Sequence, residues 1–200
     1  PSQYNGFKMM DQKGSVFGEK VQELGRIAAA GDYVSGEGEV RALDVCDTYV
    51  SRLIRDLNIA AGRPLKIAWD CGNGAAGAVI HGFVAQLPGE NVLLFDEVDG
   101  RFPNHHPDPT VDANLKDLQQ AVLEQNCDLG IAFDGDADRI GVVDNKGEII
   151  RCDTLIALYA ADVLKDNPGA PIIGDIKCSQ AMFDEITRLG GKAEMWKTGH

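Results

Sequence analysis

Residues 128–144 read DLGIAFDGDADRIGVVD. An apolar run, Leu129 to Phe133, stops at three carboxylates spaced two apart: Asp134, Asp136 and Asp138. Arg139 follows at once, and a second apolar run, Ile140 to Val143, begins after it. Three like charges set so closely repel one another, and folding alone gives no reason to gather them. A hard divalent cation does, because Mg²⁺ and Ca²⁺ take oxygen ligands. The adjacent arginine suits a bidentate grip on a phosphate or carboxylate. A metal site beside an anion site points to phosphoryl chemistry. An EF-hand fits less well: counted from Asp134, the glycine position holds Arg139 and the glutamate position holds Asn145. The strand followed by DxD is also the pattern of phosphatases that form an aspartyl phosphate. Asp138, a third carboxylate, fits that reading less well.

A second motif competes. Gly72-Asn73-Gly74-Ala75-Ala76-Gly77 is a GxGxxG after one apolar run, and Asp96 ends the next. By spacing this is the dinucleotide fingerprint. Asp70 just before it would stand near a bound pyrophosphate, an unfavourable neighbour. The alternative is a tight strand-to-helix turn in which the glycines serve conformation and close packing. Residues 102–109, FPNHHPDP, carry two adjacent histidines, but neighbouring side chains in extended chain point apart. Three prolines make this a stiff loop, with the imidazoles hydrogen-bonded to backbone. Lys8, Lys177, Lys197 and His200 follow predicted strands and could converge on one anion.

These residues need elements to position them. LKIAW, NVLLF and LGIAF read as strands, separated by predicted helices over Ala75–Leu87 and Val111–Asn126. IGVVD and GEIIR read as a hairpin across Asn145-Lys146-Gly147. Upstream, GFKMM reads as a strand end, Gly18–Ala30 as a helix, Gly31–Gly38 as a linker, and Val40–Leu57 as a segment with helical spacing. Downstream come a helix Thr154–Lys165 with Asp153 as its N-cap, strand PIIGD, helix Ser179–Leu189 and strand KAEMW. The expected class is α/β, with mixed, largely parallel sheets and helices on both faces. The acidic loop then falls at the carboxyl edge of the sheet, where α/β proteins place ligands.

The 200 residues are 44% hydrophobic and 25% charged, an ordinary globular balance. No apolar run is long enough for a transmembrane helix, and the start lacks a signal peptide's features. A net charge of −12 argues against nucleic-acid and anionic-membrane partners. It also requires a local basic site for any anionic substrate. Cys46, Cys71, Cys127, Cys152 and Cys178 are scattered and never in CxxC spacing, which fits free thiols in a reducing cytoplasm and no structural zinc.

Together the segments YNGFK (4–8), DCGNGAAG (70–77), DGRFPNHHPDP (99–109), LGIAFDGDADRIGVVD (129–144), DIKCS (175–179) and WKTGH (196–200) resemble the α-D-phosphohexomutases of the bacterial phosphomannomutase/phosphoglucomutase type. That family carries the GxGxxG turn without a dinucleotide. The resemblance implies one complete α/β domain flanked by parts of two others: residues 1–37 from domain I, 38–148 as domain II with the metal loop, and 149–200 from domain III. It implies a phosphoserine enzyme that interconverts hexose 1- and 6-phosphates of mannose or glucose through a hexose 1,6-bisphosphate. Asp134, Asp136 and Asp138 are then the Mg²⁺ ligands. Arg139 positions the reacting end of the phosphosugar, Lys8 assists beside the serine, and Lys177 and His200 contact the substrate. The parent is expected to be a cytoplasmic monomer or dimer. The family's serine loop lies upstream of YNGFK, so the 200 residues by themselves are expected to be inert. Two other classes remain open at this point: a dinucleotide-dependent oxidoreductase domain built on Gly72–Gly77, and a cation-binding module without catalysis.

Overall fold

A computed structural model describes residues 6–7, 9–57 and 63–198. Its centre is a five-stranded sheet in the order β4-β3-β5-β6-β7. These strands are β3 (Leu65–Asp70), β4 (Gly89–Leu94), β5 (Leu129–Phe133), β6 (Ile140–Asp144) and β7 (Ile149–Ile150). β4 and β5 flank β3 in parallel, whereas β6 and β7 add antiparallel strands. The sheet is therefore mixed, and its parallel half carries the crossover connections expected from alternating strands and helices.

Side-chain alternation along the strands gives the sheet two buried faces. On one, Ala68, Ala132 and Val143 pack with Leu115, Leu118 and Val122. The last two belong to helix α4 (Lys116–Glu124). On the other, Trp69 and Cys71 pack with Ala76 and Ile80, and Ile131 and Phe133 join them. Trp69 meets Phe83 edge-on and stacks on Phe133, with centroids 5.8 and 6.2 Å away. Its indole N–H donates to Asn91 Oδ1 at 2.8 Å, so burial leaves no orphaned donor. Helices thus cover both faces, as the sequence predicts.

Several boundaries differ from the predicted ones. The helix predicted over Ala75–Leu87 is a 3₁₀ turn, Ala75–Ala78, followed by the short α3, Ile80–Val84. The Ala75 N–H donates across to Gly135 O at 3.0 Å, which ties the first turn to another loop. The helix predicted over Val111–Asn126 likewise opens with a 3₁₀ turn, Asp112–Leu115, before α4. Helical spacing from Val40 yields helix only from Cys46, as α2 (Cys46–Arg55). Asp44 Oδ1 accepts the Cys46 N–H at 2.9 Å and turns the chain there, leaving Val40 and Leu43 exposed. Strand structure near GFKMM begins only at Met10, in a hairpin of β1 (Met10–Asp11) and β2 (Gly14–Ser15). That hairpin precedes α1 (Glu19–Ala30), a helix with no buried residue.

After β7 a separate α/β layer begins. α5 (Cys152–Asp166) and α6 (Gln180–Arg188) pack through Ala160, Leu164, Met182, Phe183 and Ile186. They pack, through Ile172 and Ala193, on one face of the parallel pair β8 (Pro171–Asp175) and β9 (Lys192–Trp196). Asp153 is not the N-cap of α5: Arg151 holds that place. The Asp153 carboxylate instead accepts the N–H of Thr154 at 2.9 Å and of Ser179 at 3.1 Å, linking α5 to the start of α6.

Candidate metal centre and its supports

β3, β4 and β5 are parallel, so the loops after them share one edge of the sheet. The loop between β5 and β6 is closed by Asp134 N–H donating to Arg139 O at 3.2 Å. Within it Ala137 takes φ +60°, the left-handed region uncommon for a side-chain-bearing residue. The result gathers one carboxylate oxygen each from Asp134, Asp136 and Asp138 within 4.8 Å of one another. Asp134 is buried, whereas Asp136 and Asp138 are exposed. Three hard oxygen donors so placed fit Mg²⁺ or Ca²⁺ and not a thiophilic metal.

Asp134 is the anchor of the loop. Its Oδ1 accepts the N–H groups of Asp138 at 2.9 Å and Arg139 at 3.0 Å, and its Oδ2 accepts Arg139 Nε at 2.8 Å. Burial pushes this carboxyl up, but the backbone and side-chain hydrogen bonds from Arg139 and Asp138 outweigh it and hold it below the ordinary carboxylate range. A carboxylate offers about four lone pairs, and three are engaged here, so a monodentate place remains for a cation. Arg139 also faces Asp138 at 3.7 Å and Asp108 at 3.9 Å. Its side chain is 57% exposed, leaving the rest of the guanidinium open to an anion.

The glycine turn does not offer a phosphate cradle. The N–H groups of Gly72, Asn73, Gly74, Ala75 and Gly77 donate to Asp70 Oδ1, Phe95 O, Cys71 O, Gly135 O and Gly74 O, at 2.7 to 3.1 Å. Asp96, the acid at the ribose-binding spacing, lies 2.6 Å from His81. Two glycines answer to close packing. A Cβ on Gly74 would meet Gly135 O at 2.8 Å, and one on Gly77 would meet Asp96 O at 2.2 Å. This overturns the dinucleotide alternative and makes the turn a support for the acidic loop.

Of the histidine pair, His105 does not reach backbone alone. Its Nδ1 faces His106 O at 3.0 Å, but its Nε2 lies 2.9 Å from Oδ2 of the fully buried Asp70. His106 packs edge-on against Phe102. Asp70, His105 and Asp108 escape a reading by spacing because they meet across loops far apart in the chain. The unfavourable charge at Asp70 beside a supposed phosphate turn is the signal that could have found the first of them.

Lys177 follows β8 and pairs with Asp175 at 3.8 Å. Lys8 and His200 lie outside the described residues. Among the described residues the thiols are free, and burial pushes that of Cys71 up to about 12, which leaves it protonated and unreactive. Among the described residues no helix is long and apolar enough to cross a membrane.

The family profile described as "Phosphoglucomutase/phosphomannomutase, alpha/beta/alpha domain II" matches residues 47–147. A Pseudomonas putida protein named phosphomannomutase/phosphoglucomutase is 46% identical over 200 residues, covering 100% of this chain and 43% of that protein. A Neisseria meningitidis serogroup A phosphoglucomutase is 43% identical over 202 residues, covering 100% of this chain and 44% of its own length. The crystal structure of a phosphoglucomutase/phosphomannomutase family protein from Burkholderia thailandensis superposes with a TM-score of 0.84 at 41% identity, over 92% of this chain and 40% of that one. The chain thus spans less than half the length of the curated relatives it matches.

Proposed function

Because this chain belongs to the phosphoglucomutase/phosphomannomutase family, we propose that it is part of a phosphohexomutase that interconverts hexose 1- and 6-phosphates of glucose or mannose. The observation that carries this reading is the loop Asp134–Arg139, which sets three converging carboxylates beside a guanidinium at the carboxyl edge of the sheet. Residues 38–148 are domain II of that enzyme, and 1–37 and 149–200 belong to domains I and III. The family profile over residues 47–147 supports the middle assignment.

Asp134, Asp136 and Asp138 would hold Mg²⁺, which when bound supplies charge neutralisation at a phosphoryl group in transfer. Arg139 orients the reacting end of the phosphosugar through N–H donors not turned toward Asp134. Asp134 and Asp108 hold that guanidinium from behind, so its direction is set before substrate arrives. Lys8 assists charge stabilisation beside the phosphoserine, and Lys177 and His200 contact the sugar phosphate. A hexose 1,6-bisphosphate is the intermediate and activator. The setting is the cytoplasm, and the partner is a phosphosugar, not nucleic acid or membrane.

The test is turnover of glucose 1-phosphate and mannose 1-phosphate by the intact protein that carries this chain, with Mg²⁺ and a hexose 1,6-bisphosphate. Conversion that disappears with Asp136→Asn supports the reading. No conversion of either sugar phosphate by the intact protein would overturn it.

A further inference from the structure

The loop Phe102–Pro109 has no role above beyond the contact of Asp108 with Arg139, yet two polar pairs bind it to the metal-bearing edge. Asp70 accepts Gly72 N–H on Oδ1 and His105 Nε2–H on Oδ2, at 2.8 and 2.9 Å. The second ring nitrogen of His105 faces the His106 carbonyl. Both nitrogens meet acceptors, so both donate and the ring is an imidazolium. One residue earlier, Asn104 Nδ2 donates to Asn73 Oδ1 at 2.7 Å, while Asn73 Nδ2 donates to Glu97 O at 2.8 Å. Pro107 is buried between the two loops. A Cβ on Gly72 would meet Pro107 Cβ at 2.9 Å, and one on Gly135 would meet Pro107 Cγ at 3.5 Å.

A buried ion pair adds little net stability, because desolvation offsets most of its attraction, and apolar residues of similar size hold a loop as well. What such a pair adds is a fixed direction and register. Three prolines make the span stiff, so a fixed point at its middle is carried to both neighbours. We propose that Asp70 and His105 form a positioning brace that, through Pro107 and Asp108, sets Gly135 and Arg139, and with them the geometry of the Asp134–Asp138 ligands. His105 is a positioning residue here and not a ligand. The inference rests on the metal reading above and deepens it.

The experiment is a Mn²⁺ titration of the intact protein that carries this chain, read by loss of the free-ion electron paramagnetic resonance signal, with melting temperature followed in parallel. His105→Leu weakens binding roughly tenfold, the scale of outer-shell substitutions at metal sites. His105→Gln restores most of it, because the glutamine amide can donate to Asp70 from the same place. Asn104→Ala, at an exposed position, weakens binding less but in the same direction, and decides the matter if His105→Leu does not fold. Ile186→Ala, in the separate α5–α6 core, lowers the melting temperature and leaves the Mn²⁺ affinity alone.

Unchanged affinity in folded His105→Leu, with Asp136→Asn abolishing binding, overturns the brace and leaves the metal reading standing. So does Ile186→Ala weakening binding as much as His105→Leu at equal loss of melting temperature. Mn²⁺ binding absent from the intact wild-type protein, or indifferent to Asp136→Asn, overturns the metal reading and the brace together.

Discussion

Arg139 grips the same buried carboxylate twice: its backbone N–H lies 3.0 Å from Asp134 Oδ1 and its Nε lies 2.8 Å from Oδ2. The residue proposed to meet the substrate's phosphate is thereby locked to a residue of the carboxylate cluster. Asp134 accordingly has a folding role that Asp136 and Asp138, both exposed, do not share to the same degree.

Asparagine substitution should separate those roles. Asp134→Asn turns an amide donor toward N–H groups that already donate, and should cost about 1–3 kcal/mol of stability without any metal. Asp136→Asn, at an exposed position, should cost less metal-free stability than Asp134→Asn and remove the rise that Mg²⁺ produces in the wild type. Scanning calorimetry with and without Mg²⁺ checks both. Equal metal-free stabilities for the two variants would contradict the role given to Asp134.

Two glycine-to-alanine changes should have opposite signs. At Gly74 the new methyl would meet Gly135 O at 2.8 Å and Asp134 O at 3.2 Å, both backbone atoms. Overpacking of that kind costs about 1–3 kcal/mol, and it should also weaken Mg²⁺ binding by displacing the loop. At Gly82, inside α3, the methyl would meet only Val50 Cγ2 at 3.6 Å. There the change should stabilise by about 0.5–1 kcal/mol through backbone entropy. Urea denaturation at constant m-value reads both.

The Asp70–His105 pair should show in the pH dependence of stability. The hydrogen bond to Asp70 raises the His105 pKa to about 9 from 6.5 against the opposing effect of burial, and the His106 carbonyl and Asp117 add to the rise. A folded state that holds the proton more tightly is stabilised in full below pH 6.5 and loses that stabilisation as pH rises through about 9. The gap in melting temperature between wild type and His105→Gln should therefore be widest at pH 6 and close by pH 10. A gap independent of pH would mean that the ring is not held as an imidazolium.

In the intact protein, Arg139→Ala should lower kcat/KM for a hexose 1-phosphate at least about tenfold, on the order of 1.4 kcal/mol for one charge-assisted contact. Arg139→Lys should not restore it, since an ammonium cannot hold Asp134 through Nε and present a planar fork at once. Steady-state kinetics decide it, and wild-type values for Arg139→Ala would remove Arg139 from the site.

The acidic cluster was legible in the chain itself because its parts are local. Asp134, Asp136 and Asp138 stand two apart between two apolar runs, and any tight β5–β6 connection brings such neighbours together. The strand pattern was legible for the same reason: Ala68 and Trp69, side by side in sequence, must enter opposite faces of a sheet. The turn at Gly72–Gly77 was read by spelling, and spelling is shared by a phosphate cradle and a packing turn. Only the assembled sheet edge decided between them, by directing the Ala75 N–H to Gly135 O in the loop after the neighbouring strand β5. The same holds for His105 on Asp70, Asn104 on Asn73 and Pro107 against Gly135. Periodicity tells which face a residue takes and which neighbours lie within a turn or a hairpin. It carries no information about partners that meet only when separate parallel crossovers end at one edge, and those contacts decided what holds the acidic loop in place.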